Sequence, residues 1–376
     1  MPATVQGMDI YLVELPMRGF RHAAADRRQA QSVVVSLWLS DGRSGWGESL
    51  PRQYVTGETL DTVPEDLRAV LWPAMAGQEA RQCLAELPLW APDGRWIGAA
   101  RCAAHLSLVD AVGISAALGP APAGGGALKA ARVSGVIGSD KPGKTARRLR
   151  LMRWAGLRNF KLKLGLDLRT DQANLQAVLR QLGPGLRRGR YTLRVDANGG
   201  WADRPLERIA QLKDMGVCVV EQPVFCPAAK LVELARRSEV PLMADESLVN
   251  DDDARTLLAE PRMWWNIRIS KNGGLDRALE LARLAHRSGV PFVIGCMVGE
   301  GGLLSAAQRR LLQYSPPPRF VEGNYGRFLL WEDLTRPSPR WGWGGRLRPL
   351  SGDRLGVTVD PGILRRWARQ VARLRA

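Results

Sequence analysis

Between residues 131 and 323 one unit recurs eight times: a short apolar segment, a loop and a helical segment. The apolar segments are ARVSGVIG (131–138), NFKLKLG (159–165), YTLRVDA (191–197), VCVVEQ (217–222), VPLMADE (240–246), WWNIRIS (264–270), VPFVIGC (290–296) and RFVEG (319–323). Between most of them lie stretches such as DQANLQAVLRQLG (171–183), where apolar residues recur every three or four positions, as on one face of a helix. Strands alternating with helices at this spacing pair in parallel through helical crossovers. Eight such units predict an α/β chain built on a closed (β/α)8 barrel. An open doubly wound sheet is the alternative. It usually carries a glycine fingerprint after its first strand, and SGVIGSDKPGK fits neither the dinucleotide nor the phosphate-loop spacing.

The flanks follow a different pattern. MDIYLVELP (8–16) and SVVVSLWLSDGRSGWGES (32–49) read as strands with a turn at Ser40-Asp41-Gly42, and 63–86 and 98–118 read as helices. The expected organisation is an N-terminal α+β domain over 1–125, the barrel over 126–335, and a tail over 336–376 that packs back on the first domain. APAGGGALKAA (121–131) reads as a flexible connection. The tail reads as short strands and turns, then one helix over DPGILRRWARQVARL.

Active sites of such barrels sit at the C-terminal ends of the strands. Asp196, Glu221 and Asp245 fall there on strands three, four and five, 25 and 24 residues apart. Three carboxylates that close repel one another unless a cation lies between them, and an all-oxygen set suits a hard divalent ion such as Mg2+, with Mn2+ as a substitute. Lys161 and Lys163, two apart on strand two, point to the same side, into the barrel. Adjacent ammonium groups lower each other's pKa. Lys163, nearer the strand end, is the candidate base and Lys161 its electrostatic neighbour. Lys271 ends strand six, across the mouth. A metal holding a substrate carboxylate, with lysines on either face, is the apparatus for removing an α-proton through an enolate.

Composition sharpens the lysine signal. Only eight of the 54 basic residues are lysine, so this chain makes its surface charge with arginine. Arginine stays protonated where a buried lysine can lose its proton. The net charge of +17 raises the question of nucleic acid. The arginines are spread in pairs (Arg147-Arg148, Arg187-Arg188, Arg236-Arg237, Arg309-Arg310) that read as solvated helix faces, and no basic tail or zinc finger appears. No nucleic-acid or membrane partner is expected. The N-terminus does not read as a signal peptide, and five cysteines without a CxxC pair fit free thiols in a cytoplasm.

In order and spacing, KLK, DAN, EQP, ADES and KNGG resemble the enolase superfamily, and within it the muconate lactonising enzyme subgroup. The resemblance covers nearly the whole chain. SDGRSGWGESLPRQYVTGET resembles the hairpin and loop of that family's capping domain. It implies Asp196, Glu221 and Asp245 as Mg2+ ligands, Lys163 and Lys271 as the acid/base pair, and Asn198 and Glu246 as supports behind them. The mandelate racemase branch uses a histidine late in the barrel. The three histidines here are His22, His105 and His286, and His286 reads as a helix residue.

The chain also departs from its relatives. IGCMVGEGG, with Cys296, Met297 and Glu300, resembles a G-C-M-x-E stretch of dipeptide epimerases, but Glu300 comes one residue late. Where those enzymes carry D-x-D to grip an ammonium group, this chain reads VEGNYG, with Glu322 alone. Arg268 stands where relatives often have lysine, either as a second cation at the site or as an arginine at the edge of the core. Two capping-domain loops are expected to select the substrate: Met17–Ala25, with Phe20, Arg21 and His22, and the stretch holding Arg52 and Tyr54, where Arg52 would pair with a second acidic group. The expected activity is racemisation or epimerisation of an amino-acid derivative, a small carboxylate, by a homo-oligomer. Muconate-type cycloisomerisation and o-succinylbenzoate-type dehydration are alternatives. An inactive basic binding protein on the same fold, or another metal-dependent lyase barrel, is the remaining possibility.

Overall fold

The structure is a computed structural model that describes residues 2–23, 25–122, 124–138 and 141–376. Its centre is a ring of eight parallel strands: β4 (Gly135–Ile137), β5 (Asn159–Lys163), β6 (Thr192–Asp196), β7 (Val217–Glu221), β8 (Leu242–Ala244), β9 (Trp264–Ile267), β10 (Phe292–Ile294) and β11 (Phe320–Val321), in that spatial order. A parallel bridge between Val133 and Val321 closes the ring, with Ser134 N donating to Val321 O at 2.8 Å. All eight expected strands are present, and the open-sheet alternative falls. Ser139 and Asp140, in the segment tested for a glycine fingerprint, and Ala123, in the connection, lie outside the described residues.

Strand register builds the interior in layers. Lys161 lies opposite Arg194, and Lys163 opposite Asp196, which pairs in turn with Glu221. Below them Val219, Met243, Val293 and Phe320 pack as a separate apolar floor. Polar side chains therefore occupy alternate inward positions only toward the C-terminal ends. Gly295 is needed for close approach: a Cβ there would lie 2.0 Å from Asn266 Oδ1.

A second sheet, antiparallel, has β1 (Val5–His22), β2 (Ala25–Leu39) and β3 (Ser44–Ser49) in line. The helix Gly98–Val112 lies so tightly on β3 that a Cβ on Gly47 would sit 1.9 Å from Ala103 O. This sheet and its helices are tied to the barrel by buried polar contacts. Leu50 N donates to Ser270 Oγ (2.9 Å), Glu48 accepts from Gly301 N and Leu304 N, and Arg101 grips Asp276 at 3.0 and 2.8 Å.

Three expectations are corrected. The tail helix stops at Trp367, and β14 (Ala368–Arg375) follows the short pair β12 (Thr335–Arg336) and β13 (Thr358–Val359) in sequence. β14 pairs antiparallel with the outer edge of β1, because an open sheet edge outweighs the helix propensity of ARQVARLR. Met17–His22 is no loop but the twisted end of β1, with a register shift between Pro16 and Phe20; Ala24 lies outside the described residues. Arg309 and Arg310 are buried, not solvated. They donate to the carbonyls of Arg340, Arg348, Leu350, Ser351 and Gly352, so the helix Gly302–Tyr314 holds down the tail. Among the described residues no helix is long and apolar enough to cross a membrane.

Candidate active site

Asp196 ends β6, Glu221 ends β7 and Asp245 follows β8. All three are fully buried, and one oxygen from each lies within 4.8 Å of the others. Four cations surround them. Lys161 Nζ is 3.0 Å from Glu221 and 3.2 Å from Asp196. Lys163 Nζ is 2.5 Å from Asp196 Oδ2 and 2.9 Å from Asn198 Oδ1. Arg268 closes on Asp245 and lies 3.6 Å from Glu221. Lys271 Nζ donates to Asp245 O (2.7 Å), Asn266 O (2.8 Å) and Asp245 Oδ1 (3.1 Å).

The charges set the electrostatics. Burial pushes Asp196 up, but Lys163 and Lys161 outweigh it and hold the carboxyl well below its usual range. Glu221 moves up, through burial and the nearby Asp196. Burial alone would lower Lys161; Glu221, Glu322 and Asp196 reverse that and hold it above the usual lysine range, against the expectation that its neighbour lysine would depress it. Lys271 goes the other way, lowered by burial and then by Arg268.

Backbone strain presents two of these groups. Asn198 and Gln222 have positive φ, 43° and 37°. Asn198 bridges Lys163 to Glu246, donating to Glu246 Oε1 at 3.2 Å, and Gln222 Oε1 accepts from the backbone N–H of Asp245 and Ser247. Burial and Asp196 raise Glu246 to about 7.

The Enolase C-terminal domain-like family matches residues 144–363, more than half the chain. This chain belongs to that family. L-Lys-D/L-Arg epimerase of Methylococcus capsulatus is 29% identical over 358 residues, covering 92% of this chain and 94% of that one. L-Ala-D/L-Glu epimerase of Bacillus subtilis is 28% identical over 291 residues, 74% and 76% of the two chains. The crystal structure of 2-chloromuconate cycloisomerase from Rhodococcus opacus 1CP, 25% identical, matches with a TM-score of 0.84 over 97% of this chain and 100% of that one.

In this enolase-family chain a cavity of about 740 Å³ opens onto the cluster. Lys161, Lys163, Asn198, Arg268, Cys296 and Glu322 line it, with Phe20, His22 and Tyr54 at the capping side. Lys271 is not on that wall; its ammonium turns to the backbone behind Asp245. Strand alternation separates the capping candidates: Phe20 and His22 face inward, while Arg21 is exposed. His22 lies 5.9 Å from the Tyr54 ring, and burial with Lys163 nearby lowers it to about 3. Arg52 does not await a substrate acid. It is buried and donates to the carbonyls of Gln31, Pro51 and Val298, clipping the capping sheet to the loop after β10. Met297 touches Arg268 through its sulfur at 3.3 Å, and Glu300 accepts from Met297 N at 2.7 Å, so both shape that loop.

Two residues of the enolase-type site escaped the sequence reading. Arg194 is fully buried, 2.7 Å from Glu322 Oε1 and 4.4 Å over the Phe320 ring. Asn266 Nδ2 donates to Glu221 Oε1 at 2.8 Å. Each stands two positions before a residue that was singled out, Asp196 and Arg268, and the strand period of two is the signal that marks them.

Proposed function

We propose that this enzyme removes the proton α to a carboxylate and returns one to the same carbon, racemising or epimerising an amino-acid derivative. The observation that carries this reading is the convergence of Asp196, Glu221 and Asp245 beside Lys163, which lines the cavity. The donor set fits a hard divalent cation: three carboxylate oxygens, no sulfur or imidazole, close enough to share one ion. Asp196, Glu221 and Asp245 would hold Mg2+, or Mn2+ in its place. Bound there, the ion would stabilise the negative charge of an enolate.

The chain's own groups supply the rest. Lys163 lines the cavity and is aimed by Asn198, which makes it the base on that face. Lys271, the second acid/base group of this reading, would reach the opposite face once its ammonium leaves Asp245 O and Asn266 O. Lys161, pinned among Glu221, Glu322 and Asp196, keeps its charge and serves electrostatics.

Glu322 informs the substrate. Among the described residues lining the cavity it is the lone acid, and it is tied to Lys161 and Arg194 at 2.7 Å each. No carboxylate is left to grip a free ammonium group, so the favoured substrate is an N-acylated amino acid rather than a dipeptide. Cycloisomerisation is the second reading, favoured by the likeness to 2-chloromuconate cycloisomerase. Five unpaired cysteines support a reducing, cytoplasmic setting, and a homo-oligomer is part of the same proposal.

The test is deuterium incorporation at the α-carbon in D2O with Mg2+, across N-acyl amino acids, dipeptides and muconates. Exchange is expected with N-acyl amino acids and lost in Lys163→Ala. Exchange persisting at the wild-type rate in that variant would overturn the assignment of the base.

A further inference from the structure

The cavity does not end at the reactive lysines. It continues outward past Gly135 and Val136 on β4 to the helix Pro142–Trp154, which no catalytic role uses. The charged residues of that helix are all cations, with no acid in its first turn. Lys144, Arg147 and Arg148 stand three and four positions apart and all line the cavity. Like charges at this spacing oppose helix formation, and cations in the first turns oppose the helix dipole. Arg148 also donates to Gly19 O at 3.3 Å, on the capping side of the opening.

The same outer wall is apolar. Leu151, Trp154 and Trp331 line it, and they are 60%, 76% and 51% exposed. Trp331 is held in place: Arg18 stacks on its ring at 3.8 Å, and its backbone N–H donates to Pro16 O at 2.9 Å. Large exposed apolar side chains gathered around one opening mark a binding surface. Here the opening is continuous with the inner half of the cavity, which names the occupant: the far end of the molecule whose near end meets Lys163.

We propose that this outer half is a subsite for the distal part of an extended substrate, an aromatic or broad apolar acyl group carrying a negative charge. The inference rests on the reading of the inner half as the proton-abstraction site. Aromatic faces take the acyl group, and the Lys144, Arg147 and Arg148 row takes its anion. A cationic tail is disfavoured, because among the described residues the one acid on the wall, Glu322, is already held by Lys161 and Arg194.

The experiment uses the full chain with Mg2+ and four probes sharing one α-end: N-acetyl-, N-benzoyl-, N-(4-carboxybenzoyl)- and N-(4-trimethylammoniobenzoyl)-L-alanine. Calorimetry gives their Kd values, and α-deuteration gives turnover. The carboxybenzoyl probe is expected to bind at least about tenfold more tightly than the acetyl one, and the cationic probe weakest. Lys144→Glu/Arg147→Glu, at exposed positions, should reverse the order of the two charged probes, and Arg147→Gln should narrow the gap. Equal Kd values for the charged probes, or an order unchanged in the double variant, overturn the subsite and leave the chemistry standing. The charge order without α-deuteration of any probe supports the subsite and sinks the proton-abstraction reading.

Discussion

Arg268 closes on Asp245 from the neighbouring strand, so a fixed positive charge sits against one corner of the acid triad. A lysine at this position would be a more compact point charge without the planar fork. The planar guanidinium reaches Asp245, Glu221 and the Met297 sulfur at once, and it lines the cavity, which Lys271 does not.

Arg268→Met should therefore raise the affinity for Mg2+ by about tenfold, or roughly 1.4 kcal/mol. The expected result is a steeper rise in Tm with Mg2+ concentration, read by calorimetry. An unchanged titration would mean that the guanidinium does not compete with the ion.

Removing the metal should stop turnover without unfolding the chain. Lys161, Lys163, Arg268 and Lys271 balance the triad through their own contacts. Chelation should abolish α-deuteration while the far-UV circular dichroism stays as it was. Collapse of the secondary structure would assign the ion a folding role instead.

Glu322→Leu should cost about 3–5 kcal/mol, because it leaves the buried Arg194 guanidinium without its anion. The double variant Glu322→Leu/Arg194→Leu should recover part of the loss in urea denaturation. Additive losses would show that the two residues do not stabilise each other.

Buried acids outside the site make stability depend on pH. Burial raises Glu48 and Glu58 to about 7 and Glu300 to about 8, from an ordinary 4.5. Such groups bind more protons folded than unfolded, so their contribution is fully present below about pH 4.5 and fades as pH rises through 7 to 8. Tm should rise on acidification from pH 8 to 6.5, by about 2–4 °C for each kcal/mol gained. Glu58 accepts from Ala99 N and Ala100 N at the start of a buried helix. Glu58→Gln should flatten the profile; an identical slope would remove Glu58 from the account.

The barrel was legible because each strand announced itself locally, as an apolar run closed by a polar residue at a regular distance. The three acids and Lys161, Lys163 and Lys271 inherited their positions from that spacing. What stayed hidden depends on partners far away in sequence. Arg52 meets Val298, 246 residues on, and so became a clip where a substrate-binding group was expected. Arg309 and Arg310 look like any exposed pair until the tail carbonyls fold over them. ARQVARLR reads as helix on propensity and becomes strand because β1 offers an unpaired edge.

That last pairing also orders events in a growing chain. β1 is made before the barrel strands and its outer neighbour, β14, after them; Ala376 N reaches back to Gln6 O at 3.0 Å. The barrel strands emerge between the two and can close while the sheet beside them still lacks an edge. Gly7–Val13 of β1 thus gain an outer partner only when residues 368–375 arrive, whereas Phe20 and His22 pair with β2 alone. The outer edge of the capping sheet therefore closes on a segment made after every barrel strand.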